Sequence, residues 1–169
     1  SLMPLNPEHI LLPFAPAALS PGPWLVFAPH ADDETFGMGG SLLKASKQGV
    51  ETHVIVLTDG ALGGERDDLV KIRQHEAEAA AQLLGLASLA CWTEPDRGLE
   101  HSEGLADRIA VAISRLAPAS VFFPGPMEIH PDHRAAGFAV WAGLQQVYQQ
   151  NVIRPLAIAY EISVQNPIN

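Results

Sequence analysis

Trp24-Leu25-Val26-Phe27-Ala28-Pro29-His30-Ala31-Asp32-Asp33-Glu34 is the stretch on which the fold turns. Five apolar residues in a row stop at a proline. A run that short, bounded by a turn signal, reads as a strand. A dense group of titratable side chains follows it without a break. A strand that delivers chemistry at its carboxyl end is the repeating idea of the α/β folds.

The rest of the chain keeps the alternation. Gly37, Gly39 and Gly40 predict a tight strand-to-helix turn, followed by a short helix over 41–48 that Gly49 closes. These glycines lack the spacing of a dinucleotide fingerprint, and the neighbouring acids would repel a pyrophosphate. Thr52 to Leu57 is rich in β-branched residues and reads as a second strand. Thr58 to Arg66 reads as a loop. Asp67 to Leu84 reads as the longest helix, with Leu69, Ile72, Ala79, Leu83 and Leu84 approximating one apolar face. Strands are predicted at Leu89–Thr93, Val121–Phe123 and Leu156–Ile162, and helices at Leu105–Leu116 and Ala135–Tyr148. The expected fold is α/β, a Rossmann-like three-layer sandwich around a mainly parallel sheet. Ligands in such sheets bind beyond the carboxyl ends of the strands.

The length of 169 residues suits one domain. We read Ser1 to Pro23 as an extended, proline-rich arm and 24–169 as the domain. The stop at Asn169, soon after a predicted strand, leads us to expect that the natural chain continues. Ten Lys and Arg against nineteen Asp and Glu give a net charge of −9. That balance argues against a nucleic-acid partner and against an anionic membrane surface. No apolar run approaches the length of a membrane span. The lone cysteine, Cys91, forms no internal disulfide, which points to a reducing compartment, the cytoplasm. Its apolar neighbours make it a structural thiol rather than a nucleophile.

A second titratable group, His130-Pro131-Asp132-His133, lies one hundred residues beyond His30 and follows the fourth predicted strand. Both groups therefore fall on the same predicted edge. Alone, an Asp-Asp-Glu run is usually a solvated turn or a helix cap, and a His-x-x-His is a weak signal. Together they supply a metal-ligand set and an acid–base pair. His30, Asp33 and His133 form an open site of two imidazoles and one carboxylate, which suits zinc. Asp32 is then a carboxylate to spare beside the metal water and the candidate general base. His130 is the candidate for stabilising an oxyanion and protonating a leaving amine, with Asp132 orienting it. The chemistry these residues describe is metal-assisted hydrolysis of an amide. The facial triad of iron oxygenases uses the same donor types, but those sites usually sit in β-barrels.

At these residues the chain resembles the PIG-L (LmbE-like) de-N-acetylases, whose signature pairs a Pro-His-x-Asp-Asp-Glu box with a later His-x-Asp-His box. Ala31 stands where proline is commonest. Thr58-Asp59-Gly60, Arg73-x-x-Glu76, Ala79-Ala80, Leu84-Gly85, Asp96 and the run from His133 to Gly137 also resemble the family, so the likeness extends from Trp24 to about Ile162. The resemblance implies zinc or ferrous iron at His30, Asp33 and His133, with Asp32, His130 and Asp132 as catalytic groups. It implies that Arg73 and Asp96 hold sugar hydroxyls; without it, Arg73 would read as a surface cation beside Glu76 and Asp96 as a turn residue. The activity implied is removal of acetyl from an N-acetylglucosamine-type conjugate or oligosaccharide, the small-molecule partner expected. Amidase action on a sugar–thiol conjugate, and a non-catalytic sugar-binding domain of a larger protein, are the alternatives. The pocket that the resemblance implies is either open or completed by an additional domain or a homo-oligomer.

Among the remaining residues, His101 lies in a polar loop that can overhang the site. His53 and His75 read as structural or solvent-facing. Trp24, Trp92 and Trp141 all occupy positions suited to the core.

Overall fold

The structure is a computed structural model that describes residues 18–31, 33–58, 67–94 and 98–161. Five strands form one all-parallel sheet in the order β3-β2-β1-β4-β5: β1 Trp24–Ala28, β2 Thr52–Thr58, β3 Ser88–Glu94, β4 Ser120–Pro124 and β5 Leu156–Tyr160. Helices α1 Asp33–Lys47, α2 Asp67–Leu84, α3 Leu105–Leu116 and α4 Pro131–Gln150 connect them, with a 3₁₀ turn at Leu99–His101. The expected α/β sandwich with a parallel sheet is what the chain forms.

The period-2 geometry of β1 divides the core in two. Trp24, Val26 and Ala28 face one side with Met38, Leu42, Ala45, Val54, Val56 and Phe122. Leu25 and Phe27 face the other with Ile109, Ile113, Val121, Val140 and Leu144. Every residue of β1 is buried, which explains why its sequence is a continuous apolar run rather than an alternation.

Two helices begin earlier than the sequence suggests. Helix α1 starts at Asp33 and takes in Gly37, Gly39 and Gly40, so these are not a turn. Each glycine costs a helix about 1 kcal/mol relative to alanine. Burying Met38 and Leu42 against the sheet returns about 1.5–3 kcal/mol apiece, so packing prevails. Helix α4 starts at Pro131, with His130 as its N-cap residue. A proline in the first turn loses no hydrogen bond, because that N–H has no helical partner anyway. Asp132 and His133 thus sit on a rigid first turn rather than in a loop.

Helix α2 is where expected, but Ile72 and Leu83 of its supposed apolar face are exposed and Ala77 is buried instead. Spacing identifies a helix; the side on which it docks depends on its neighbours. Trp141, 48% exposed, is likewise not core, whereas Trp24 is. Trp92 packs edge-on to Phe27, and the Arg108 guanidinium lies 4.3 Å over its ring. Arg108 also pairs with Glu94 at 2.7 Å, and the Ser102 hydroxyl donates to the same carboxylate, tying the end of β3 to α3. His53 is structural, bridging Ser88 and Glu51, and His75 is exposed, both as expected. Among the described residues no helix is long and apolar enough to cross a membrane.

Gly137 governs the seat of α4. A β-carbon there would lie 2.5 Å from the Pro124 carbonyl oxygen, which is sheet backbone and cannot swing aside. Gly137→Ala is therefore expected to push α4 off β4 and to cost about 1–3 kcal/mol. Thermal unfolding followed by circular dichroism should show a midpoint lower by several degrees. An unchanged midpoint would mean that α4 can shift on β4 at no cost.

Candidate functional site

Sheet order explains why two groups a hundred residues apart can meet. The chain runs outward from β1 through β2 to β3, then returns to place β4 on the other side of β1. The crevice at such a reversal opens between the strands on either side, at their carboxyl ends. The loop after β1 carries His30 and the loop after β4 carries His130. The parallel register Trp24↔Ser120, Leu25↔Val121 and Val26↔Phe122 brings those loops to the same height.

Backbone and side-chain bonds then fix each loop. The Pro29 carbonyl accepts from the Thr58 amide at 3.1 Å and from the Thr58 hydroxyl at 2.9 Å. The Tyr160 hydroxyl reaches past β4 to donate to the Phe27 carbonyl at 2.7 Å. The Gly125 amide donates to the Tyr160 carbonyl at 2.8 Å. Neither Thr58 nor Tyr160 stands out as a support in the sequence, because each acts on a residue distant along the chain.

Three imidazoles gather at this edge. Ring centroids lie 5.1 Å apart for His30 and His130, 5.5 Å for His30 and His133, and 4.8 Å for the stacked pair His130 and His133. Asp132, 1% exposed, sits beneath them, its Oδ2 at 3.0 Å from His30 Nε2. The carboxylate thus reaches across to the first group, while its own backbone amide donates to His130 Nδ1 at 3.1 Å. That second bond is the N-cap of α4. His133 Nδ1 faces Glu128 Oε2 at 3.6 Å, with both side chains largely buried.

Donor atoms of His30, His130 and Asp132 all lie within 4.8 Å of one another. Imidazole nitrogens and carboxylate oxygens gathered at one sheet edge are the donor types that zinc or ferrous iron takes, so this edge suits such an ion. His30, His130, Asp132 and His133, singled out in the sequence, are brought together here. Asp32 and Asp96 lie outside the described residues, as do the side chains of Asp33 and Arg73; Asp33 itself opens helix α1. A cleft of about 500 Å³ runs between the 3₁₀ turn and α4, lined by Leu99, Glu100, Leu105, Arg134 and Phe138 among others and by none of the four cluster residues.

Comparison with known proteins agrees with the geometry. Residues 25–144 match the model of the family described as PIG-L, GlcNAc-PI de-N-acetylase. The chain is 31% identical over 145 residues to the diacetylchitobiose deacetylase of Thermococcus kodakarensis, covering 78% of this chain and 54% of that protein. It is 30% identical over 148 residues to a probable N-acetyl-alpha-D-glucosaminyl L-malate deacetylase 2 of Bacillus anthracis, covering 80% of this chain and 65% of that one. The chain thus spans between half and two thirds of the length of these relatives. The crystal structure of the conserved protein TT1542 from Thermus thermophilus superposes with a TM-score of 0.74 at 30% identity, covering 86% of this chain and 68% of that one.

Proposed function

We propose, from the premise that this chain belongs to the PIG-L family of de-N-acetylases, that it is a metal-dependent hydrolase removing acetyl from an N-acetylated amino sugar. The observation that carries the reading is the meeting of His30 with His130, Asp132 and His133 at the β1/β4 edge. His30, Asp33 and His133 are the residues we assign to the ion, zinc or ferrous iron. When bound, the ion supplies Lewis acidity, polarising the acetyl carbonyl and acidifying water.

The chain's own groups carry the proton transfers. Asp32 takes a proton from the attacking water as its oxygen adds to the carbonyl carbon. The carbonyl oxygen becomes an oxyanion, and His130 is placed to donate to it. Because His130 Nδ1 accepts the Asp132 amide, the neutral ring carries its proton on Nε2. With Nδ1 accepting, the ring meets the oxyanion as a neutral donor, and the proton for the leaving amine, which the sequence suggests comes from His130, is instead assigned to Asp32. The carbon–nitrogen bond then breaks, and the proton held by Asp32 passes to the leaving amine, giving acetate and the free amino sugar. Asp132 holds His30 in place through its carboxylate.

Relatives named for diacetylchitobiose and for an N-acetylglucosaminyl malate support an N-acetylglucosamine conjugate as substrate, with Arg73 and Asp96 assigned to its hydroxyls. The lone cysteine supports a reducing compartment, and we assign the domain to 24–169.

Acetate release from a panel of such conjugates tests the reading. Stripping the protein of metal is expected to abolish release, and zinc or ferrous iron to restore it. Release that persists in fully stripped protein would refute metal dependence.

A further inference from the structure

The loop after β4 inverts the usual preference of side chains. Met127 is 87% exposed and Ile129 is 91% exposed, while Glu128 between them is 11% exposed. Burying a carboxylate and exposing two large apolar groups is unfavourable on both counts, so something must hold Glu128 inward. Its Oε2 lies 3.6 Å from His133 Nδ1, inside the range of an ion pair and just beyond a full hydrogen bond. The backbone of the same loop is gripped from α4. Arg134 Nη1 donates to the Glu128 carbonyl at 3.0 Å and also to the Ile129 carbonyl. Arg134 directly follows His133 in the first turn of α4, so the residue that grips the loop and the residue that Glu128 faces move together.

We infer that Glu128, held by Arg134, is a positioning residue that sets the orientation and tautomer of His133. A carboxylate facing Nδ1 keeps the proton on that nitrogen and leaves Nε2 as the ring's electron-pair donor. A ligand histidine is commonly oriented through its other nitrogen in this way. The inference rests on the reading of His133 as a ligand, but its main consequence needs no metal. Arg134 acts one step further back: it holds the carbonyls of Glu128 and Ile129, just C-terminal to the Glu128 side chain, and so restrains the loop rotation that would turn Glu128 to solvent.

The test is long-range proton–nitrogen correlation of the imidazoles in the metal-free protein, at a mildly alkaline pH where the rings are neutral. His133 is assigned by comparison with His133→Gln. In the unsubstituted protein His133 is expected as the Nδ1–H tautomer. Glu128→Ala should release it to a mixture dominated by Nε2–H, Glu128→Gln should retain Nδ1–H because the amide oxygen still accepts, and Arg134→Ala should give partial release. In parallel, zinc affinity by chelator competition should weaken about 10–100-fold in Glu128→Ala and less in Glu128→Gln.

A Glu128→Ala protein whose melting point falls while its His133 tautomer and zinc affinity stay put would overturn the inference. Should Glu128→Ala fail to fold, Arg134→Ala carries the test, and an unchanged tautomer there overturns it equally. Unsubstituted protein that binds no metal yet shows the locked tautomer would sink the hydrolase reading and support the brace. Metal-bound, active protein whose His133 is indifferent to Glu128 would do the reverse.

Discussion

Asp32→Asn is expected to lower the rate of acetate release by about 10²–10⁴-fold while the protein still binds one metal per chain, since that is what a positioned general base contributes. The substitution keeps the volume and a hydrogen-bonding side chain but removes the group that accepts the proton. Asp32 directly precedes the first residue of α1 in the chain. The neighbouring Asp33 is assigned to the ion, and the two carboxylates therefore have separable effects. Asp33→Asn should lose metal first and activity as a consequence. Asp32→Asn should lose activity with metal intact. Metal content by atomic absorption and initial rates by acetate assay distinguish the two. An Asp32→Asn protein that keeps its rate would move the base elsewhere, and Glu34 would be the next acid to examine.

Asp132→Asn carries the second large effect: metal affinity is expected to fall about 10–100-fold, with the rate at fixed metal falling at least as far. The sequence suggests that this carboxylate stands behind His130. In the structure its Oδ2 contacts His30 Nε2 at 3.0 Å, while its backbone amide donates to His130 Nδ1. Asparagine keeps the amide and hence the N-cap of α4, but loses the charge that holds His30. The disturbance should therefore appear at His30 and spare His130, which imidazole resonances can separate. With the carboxylate 1% exposed, solvent cannot substitute for it, and salt should not rescue the variant. A disturbance confined to His130 would restore the pairing that the sequence suggests and remove the cross-link between the two boxes.

Local patterns in the sequence proved readable where the signal lies within a few residues. The apolar run of β1, the β-branched run of β2 and the apolar face of α3 each mark an element by composition and period. The two titratable boxes mark chemistry by residue type. The starts of α1 and α4 were less legible, for opposite reasons. Three glycines disguise a helix that packing stabilises. A proline that sequence reasoning leaves outside the helix sits where a helix tolerates it. The exposed Ile72 and Leu83 make the same point from the other side: their spacing is helical, but no local signal says which way α2 faces.

What the sequence determined by itself is the alternation of strands and helices, the identity of the donor atoms and their attachment to strand ends. Those depend on neighbours along the chain, where covalent geometry sets the period. Tertiary structure alone decided which donors meet: that Asp132 reaches His30, that Tyr160 supports Phe27 across the intervening strand, and that Glu128 turns inward beneath His133. The third of these contacts depends on how the loop after β4 folds back on α4, and the first two on where the sheet places β4 beside β1. That placement comes from burying the apolar faces of all five strands at once, a property of the whole chain that no short stretch contains.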